Sequence, residues 1–459
     1  MVCSVRRQRK RVRRGKVLKH SHSNETYKAG SITLGGAIAM GTGVMIGAGI
    51  FALTGQIAEL AGPIFPLAFI AGAIVTGFSA YSYIKMSNAW PSAGGIAMIL
   101  QKCYGPGAIA AGAALLMALS MVIAESLVAR TFAAYLLRPF DINGGPLVPI
   151  LAVSVILFAF LVNIAGNRSI GLFSMVMAVI KIGGIALFGI AALWSSGFGF
   201  AAASQDGGEL SATGFIASVA LAILAFKGFT TITNSGAEIT NPHRNVGRAI
   251  MISIALCVLV YLLVAFGVGS SLTIDRIVAA RDYSLAEAAE PALGQVGFLL
   301  TVLLAVVATA SAVLASVFAV SRMLAMLTEM EMIPHRHFGM SGPIQRHTLI
   351  YTVVIASTLA ILFDLGRIAS LGAFFYLVMD MVVQFGVWRF RRQEIKAAAP
   401  VLLIAITFDA LVLAAFTAMK LRSDPAIVAY AVSAIAAVFI YERSYLSRWL
   451  ASQREDVQP

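Results

Sequence analysis

The sequence predicts an all-α integral membrane protein of about twelve crossing helices, on three observations. The 459-residue chain is 59% hydrophobic and 12% charged, with mean hydropathy +0.87, whereas soluble domains carry roughly 25% charged residues. Apolar runs recur along its whole length, most of them close to the roughly 20 residues a helix needs to cross a bilayer. Lys and Arg fall unevenly among the connections between those runs. A water-soluble chain does not have this composition.

In order, the spans are expected at 33–56, 62–86, 107–136, 147–165, 169–194, 213–235, 247–270, 294–326, 348–364, 368–388, 400–419 and 425–445. The run starting near Gly294 is long for one crossing, so it is expected to tilt or to extend beyond the bilayer. With both termini cytoplasmic, the inner connections hold 24 of the 34 Lys and Arg, ten of them in residues 1–30. The outer connections hold Arg138, Arg276, Arg281, Arg367, Lys420 and Arg422, and the spans hold Arg130, Lys181, Lys227 and Arg322. Such an excess on one side is the positive-inside signature of a plasma membrane protein, or of an inner-membrane protein in a bacterium. It accounts for the net charge of +13 without nucleic acid as a partner.

The basic run Arg6–Arg14 adjoins no cleavable apolar region, so a secretory signal is not expected. It reads as a cytoplasmic tail attracted to anionic lipid, with organelle targeting as the alternative. Cys3, Cys103 and Cys257 are scattered, and the pairs His20/His22 and His335/His337 lie in polar segments, so no disulfide framework or metal cluster is expected. No G-x-S-x-G, H-E-x-x-H or P-loop pattern occurs. Neither an enzyme nor a bound cofactor is expected.

Two spans carry interruptions. Gly43-Val44-Met45-Ile46-Gly47-Ala48-Gly49-Ile50-Phe51 places three glycines, poor helix formers, at mid-span. Ala225-Phe226-Lys227-Gly228-Phe229 interrupts a second run five spans later. A bilayer supplies no water to opened backbone groups, so such breaks survive where they line a cavity. Two of them in matching places of two halves point to a secondary transporter. The alternative is that these glycines only allow close helix packing.

Around these breaks the chain resembles the amino acid–polyamine–organocation permeases. Met45-Ile46-Gly47-Ala48-Gly49-Ile50-Phe51 with Ala58-Glu59-Leu60-Ala61-Gly62-Pro63 looks like that family's first helix and following loop. Trp90-Pro91-Ser92-Ala93-Gly94-Gly95 resembles its segment after helix 2. Phe226-Lys227-Gly228-Phe229 followed by Ala237-Glu238-Ile239-Thr240-Asn241-Pro242 is similar to its helix 6 and the loop beyond, and Ser321-Arg322-Met323-Leu324 before Ile333-Pro334 to the end of helix 8. The resemblance implies the leucine-transporter fold, ten core helices in two inverted five-helix repeats plus two peripheral helices. The organisation expected is a basic tail at 1–30, a transport core at 31–390 with repeats 31–195 and 211–390, and peripheral helices with a short cytoplasmic C-terminus at 391–459.

Within that fold an amino acid's carboxylate is expected on free N–H groups at Gly47, Ala48 and Gly49, flanked by Ile46 and Ile50. Its ammonium is expected on carbonyls around Ala225, Phe226 and Gly228, with Phe226 or Phe229 as a cover or as ordinary packing. Lys181 lies deep in the fifth span, where intramembrane ionisable groups face a cavity and do work. In proton-coupled members a lysine of helix 5 stands where sodium sits in sodium-coupled relatives. Lys181 matches it, with Gly43–Ile46 and the hydroxyls of Thr309 and Ser311 as expected contacts. A lysine reaching the headgroups, or a static structural contact, is the alternative.

Lys227 and Glu125 depart from the family pattern. They are expected to pair across the cavity, or to contact substrate side chains directly; a third option pairs Glu125 with Arg130. Asp380 could serve a gate or a second proton route, Asp409 has no assigned role, and Glu238 with Arg322 is a candidate inner gate. The functional expectation is a permease importing or exchanging an amino acid, driven by protons through alternating access. A polyamine or other organic-cation carrier is the alternative, and a non-transporting amino-acid sensor a weaker one.

Overall fold

A computed structural model of the chain describes residues 29–92, 94–105, 107–142, 144–165, 170–203, 211–330 and 344–455. The basic tail expected at 1–30 lies almost wholly outside them, as does Ile333-Pro334. Among the described residues every regular element is helical, and one isolated parallel bridge joins Ile32 to Ile239.

Helix α1 (Leu34–Met45) passes through a π-helical stretch, Ile46–Ile50, into α2 (Phe51–Ala61). Then come α3 (Phe65–Ala89), the short α4 (Gly95–Tyr104), α5 (Ala108–Leu137), α6 (Leu147–Ala165) and α7 (Ile170–Ser195). In the second half α8 (Ala212–Phe226) leads through a 3-10 turn, Lys227–Phe229, into α9 (Thr230–Asn234). The remainder are α10 (Pro242–Ser271), α11 (Ile274–Ala279), α12 (Ser284–Glu329), α13 (Ile344–Leu362), α14 (Leu365–Gly386), α15 (Ala399–Ser423) and α16 (Pro425–Glu455).

Nine helical runs among the described residues are long and apolar enough to cross a membrane, and three shorter helices are equally apolar. The chain is therefore a multi-pass membrane protein. Its outer surface fits a hydrocarbon solvent: Phe158 and Leu161 on α6, Leu187 on α7, Leu259 on α10 and Leu300 on α12 are all exposed. Inside, α5 packs on α12 and α14, and α10 packs on α1, α3 and α7.

The long run expected from Gly294 has a physical explanation. Within α12, Gly294 adopts φ 66°, ψ −170°, a conformation open to glycine and costly for residues with a Cβ. It follows Pro291, which removes a helix hydrogen bond. The helix kinks there, so the apolar segment starts afresh just beyond it.

Polar contacts close both ends of the bundle. At the Lys- and Arg-poor end, Arg281 pairs with Glu59 at 2.7 Å, and Arg138 and Arg276 both reach Glu287, at 3.1 and 3.0 Å. Gln56 Nε2 donates to Asp282 at 2.8 Å. Burial pushes the Asp282 carboxyl above its usual range, and its loop lines a 440 Å³ cavity with Arg130, Arg281 and Tyr283. At the opposite end, Ile32 N–H donates to Glu238 O at 2.9 Å and Thr240 N–H to Ile32 O at 2.8 Å. The N-terminus of α4 abuts the end of α9, where Ile96 N–H donates to Asn234 Oδ1 at 3.3 Å.

Gly55 sits where α2 meets the backbone leading into α12. A Cβ added there would lie 2.3 Å from Arg281 O and 2.4 Å from Arg281 Cα. Gly55→Ala should therefore destabilise the protein by about 1–3 kcal/mol through overpacking, read as a lower melting temperature in detergent. Gly77→Ala, whose Cβ would meet nothing within 4 Å, should leave it unchanged.

Candidate functional site

The first interruption is a change of helical register. Met45, Ile46, Ile50 and Phe51 all keep right-handed helical dihedrals, and the π-helical stretch re-aims carbonyls without unwinding the chain. The glycines make this possible by close approach. A Cβ on Gly49 would lie 2.5 Å from the Tyr261 hydroxyl and 2.8 Å from Ala225 O. One on Gly47 would lie 2.9 Å from the Ala312 Cβ and 3.5 Å from both Ala308 O and Lys181 Nζ. The side chain of Ala48 lies outside the described residues.

The second interruption tightens instead of widening. At Lys227–Phe229 the helix becomes 3-10 before α9 resumes. A Cβ on Gly228 would lie 2.7 Å from Met45 N, so the two interrupted backbones touch. The expected opened strands are thus closed turns, π in one span and 3-10 in the other.

Every carbonyl these turns release needs a donor, because hydrocarbon supplies none. Tyr261, wholly buried on α10, lies between the interruptions with its hydroxyl 2.6 Å from Met45 O and 3.0 Å from Ala225 O. Thr54 Oγ1 donates to Ile50 O at 2.7 Å, and the Tyr135 hydroxyl to Phe51 O at 3.4 Å. Thr230 Oγ1 donates to Lys227 O at 2.9 Å and Thr231 Oγ1 to Gly228 O at 2.6 Å. Phe226 packs on the Tyr261 ring with centroids 4.9 Å apart, and Phe229 meets Tyr83 edge-on at 5.3 Å.

Lys181 lies on the inward face of α7, beside neighbours that face outward. Val179 and Ile180 are 66% and 47% exposed, while Lys181 is 4% exposed. Its ammonium reaches the junction of Gly47 with α12, and among the described residues it has no hydrogen-bond partner. Thr309 and Ser311 flank this junction, but their hydroxyls donate to carbonyls of their own helix, Ala305 at 2.7 Å and Ala308 at 3.0 Å. Gly43 lies one turn before Gly47 in α1 and is half-buried.

The expected Glu125–Lys227 pair does not form. Lys227 Nζ donates to Ser120 Oγ and lies 5.6 Å above the Tyr376 ring. Glu125 is five residues beyond Ser120 on α5, about 140° around the helix axis, so it faces another neighbour. Both its carboxylate oxygens are buried without a hydrogen-bond partner. The option of Arg130 fails as well, because its guanidinium bonds Ala360 O and Phe363 O at the end of α13, both at 2.7 Å. Glu238 is buried, whereas the side chain of Arg322 lies outside the described residues.

Tyr261 was not singled out from the sequence, although a lone hydroxyl in Val258–Leu263 was a usable sign. A buried tyrosine in an apolar run generally has a partner for its polar tip.

Compared with known proteins, residues 32–442 match the family model described as amino acid permease. The chain belongs to the amino acid permease family. It is a transporter rather than an enzyme. This permease is 29% identical over 373 residues to the inner membrane transport protein YbaT of Escherichia coli, covering 80% of this chain and 85% of that protein. It is 29% identical to an uncharacterized protein of Methanocaldococcus jannaschii, over 73% of this chain and 77% of the relative. It is 27% identical to the branched-chain amino acid permease BcaP of Lactococcus lactis, over 76% and 79%.

Tyr261→Phe removes the O–H that reaches both turns and leaves Met45 O and Ala225 O one donor short. The variant should lose about 1–3 kcal/mol, measured as a lower melting temperature of the purified permease.

Proposed function

We propose that this permease moves an amino acid across the bacterial inner membrane together with a proton, by alternating access around the two interrupted spans. The observation that carries this reading is the Lys181 ammonium beside Gly47, buried and without a hydrogen-bond partner among the described residues, where the first interruption meets α12. A buried ammonium is costly in lipid, and loss of its proton removes that cost. Proton uptake and release there bears directly on the turn expected to hold substrate.

Substrate binding follows from the donor accounting. When the turns part, the amide groups of the π-helical stretch, Ile46–Ile50, are suited to the carboxylate. The carbonyls of Ala225 and its neighbours suit the ammonium, which takes over from the Tyr261 hydroxyl. The described helices are compatible with twelve crossings, a 5+5 core with α15 and α16 peripheral, and both termini cytoplasmic. The inner-membrane setting follows the YbaT relative.

Side-chain selectivity falls to Lys227 and Glu125, which do not cancel one another. A second reading, an organic-cation or polyamine carrier, is favoured by Glu125, whose carboxyl has no hydrogen-bond partner among the described residues.

In proteoliposomes under an imposed inward proton gradient, Lys181→Ala should abolish gradient-driven accumulation. Accumulation unchanged from the wild type would remove the coupling role. A thermal-shift screen against the amino acids and common polyamines should give stabilisation by the transported class through mass action. Glu125→Gln should weaken the response to cationic compounds, and Lys227→Met the response to acidic ones. Stabilisation by polyamines alone would favour the second reading.

A further inference from the structure

Away from the two turns, the buried bundle holds a second polar cluster where α3, α14 and α15 meet. Asp380 on α14 accepts hydrogen bonds from Ser79 Oγ and the Tyr83 hydroxyl, both at 2.5 Å, and from Gln384 Nε2 at 3.0 Å. The same Gln384 nitrogen lies 2.6 Å from Asp409 Oδ2 on α15. That shared nitrogen holds the two carboxyls side by side. Asp380, Asp409, Gln384 and Tyr83 are all wholly buried.

No cation bonds either acid among the described residues. The titratable groups facing the pair are Tyr83 from α3 and Tyr376 from α14, and Tyr376 also shares Ser79. Lys227 lies on the face of the Tyr376 ring. Two buried carboxyls that share one amide donor, with no cationic side chain bonded to either among the described residues, do not both ionise. The donor pattern is unequal in the same sense. Asp380 takes three donors, as an ionised carboxylate does, and Asp409 takes one. Asp409 Oδ1 and Gln384 Oε1 are buried inside the cluster without a partner, so the arrangement is short of a hydrogen.

We propose that Asp380 and Asp409 form a proton-binding site, holding one proton between them where the α15 helix joins the bundle. The proton bonds to one carboxyl and is shared with the other, so the pair carries a single negative charge. This site is separate from Lys181 and stands whether or not Lys181 couples transport. Through Ser79 and Tyr376 it adjoins Lys227 in the second interruption, so its occupancy is placed to influence that turn.

Infrared spectroscopy of the purified permease at neutral pH tests this directly. With aspartate labelled by carbon-13 at the side-chain carboxyl, a protonated-carboxyl C=O band should shift with the label. Labelling aspartate alone keeps Glu125 out of the measurement. In Asp409→Asn, whose amide can donate to Asp380 in place of the proton, that band should be reduced. A wild-type spectrum with no label-sensitive protonated band overturns the proposal, and needs no variant to fold. So does a protonated-carboxyl absorption that neither Asp409→Asn nor Asp380→Asn reduces, the buried Asp282 contributing equally to all three spectra. Loss of the band when sodium chloride replaces choline chloride would make this a sodium site and overturn it equally.

Discussion

The Tyr261 hydroxyl lies within hydrogen-bonding distance of the backbones of both interrupted spans, and the architecture of the site follows from why it must. Hydrocarbon offers no donor to a released carbonyl, so a helix can change register at mid-bilayer only where side chains take over the lost bonds. Hydroxyls add to the backbone donors here, among which Thr230 N–H reaches Lys227 O and Gly228 O. Tyr261 serves Met45 and Ala225, Thr54 serves Ile50, and Thr230 and Thr231 serve the turn at Lys227–Phe229. Glycines at 47, 49 and 228 let the backbones come close enough for this stitching. In the proposed binding arrangement a substrate ammonium would take the Ala225 carbonyl that the Tyr261 hydroxyl approaches here.

Charge is handled by the same economy of partners. Several ionisable side chains outside the site have partners: Arg130 bonds the end of a helix, and Arg138 and Arg276 share Glu287. Inside, three buried ionisable groups stand out. Lys181 and Glu125 have no hydrogen-bond partner among the described residues, and Lys227 has only a hydroxyl and a ring face. Buried groups left in that condition are costly and mark functional positions in membrane proteins. They divide the work proposed here, Lys181 at the first turn and the other two toward the substrate side chain.

The membrane class and the two interrupted segments were legible in the sequence because hydropathy and glycine placement act locally. Lys181 was legible too: an isolated lysine in Val179–Gly184 has few ways to be tolerated except by turning inward. The pairing of Glu125 with Lys227 was not, because sequence gives a charge its depth but not its direction around a helix. Ser120 already receives Lys227, and five residues of α5 carry Glu125 to another side. The unwound form expected of the interruptions also failed to appear. Glycine content marks where a helix can yield, while the hydroxyls that keep it closed come from α10 and from the turns themselves. The short α4 was equally hidden, since ten residues are too few to register as a span.

The most direct test of this account is a structure of the permease with a transported amino acid bound. The account predicts the ammonium within hydrogen-bonding distance of Ala225 O, the carboxylate on the amides at Gly47–Gly49, and the Tyr261 hydroxyl withdrawn from Ala225. A substrate seated away from both turns, with Tyr261 still bridging Met45 and Ala225, would contradict it.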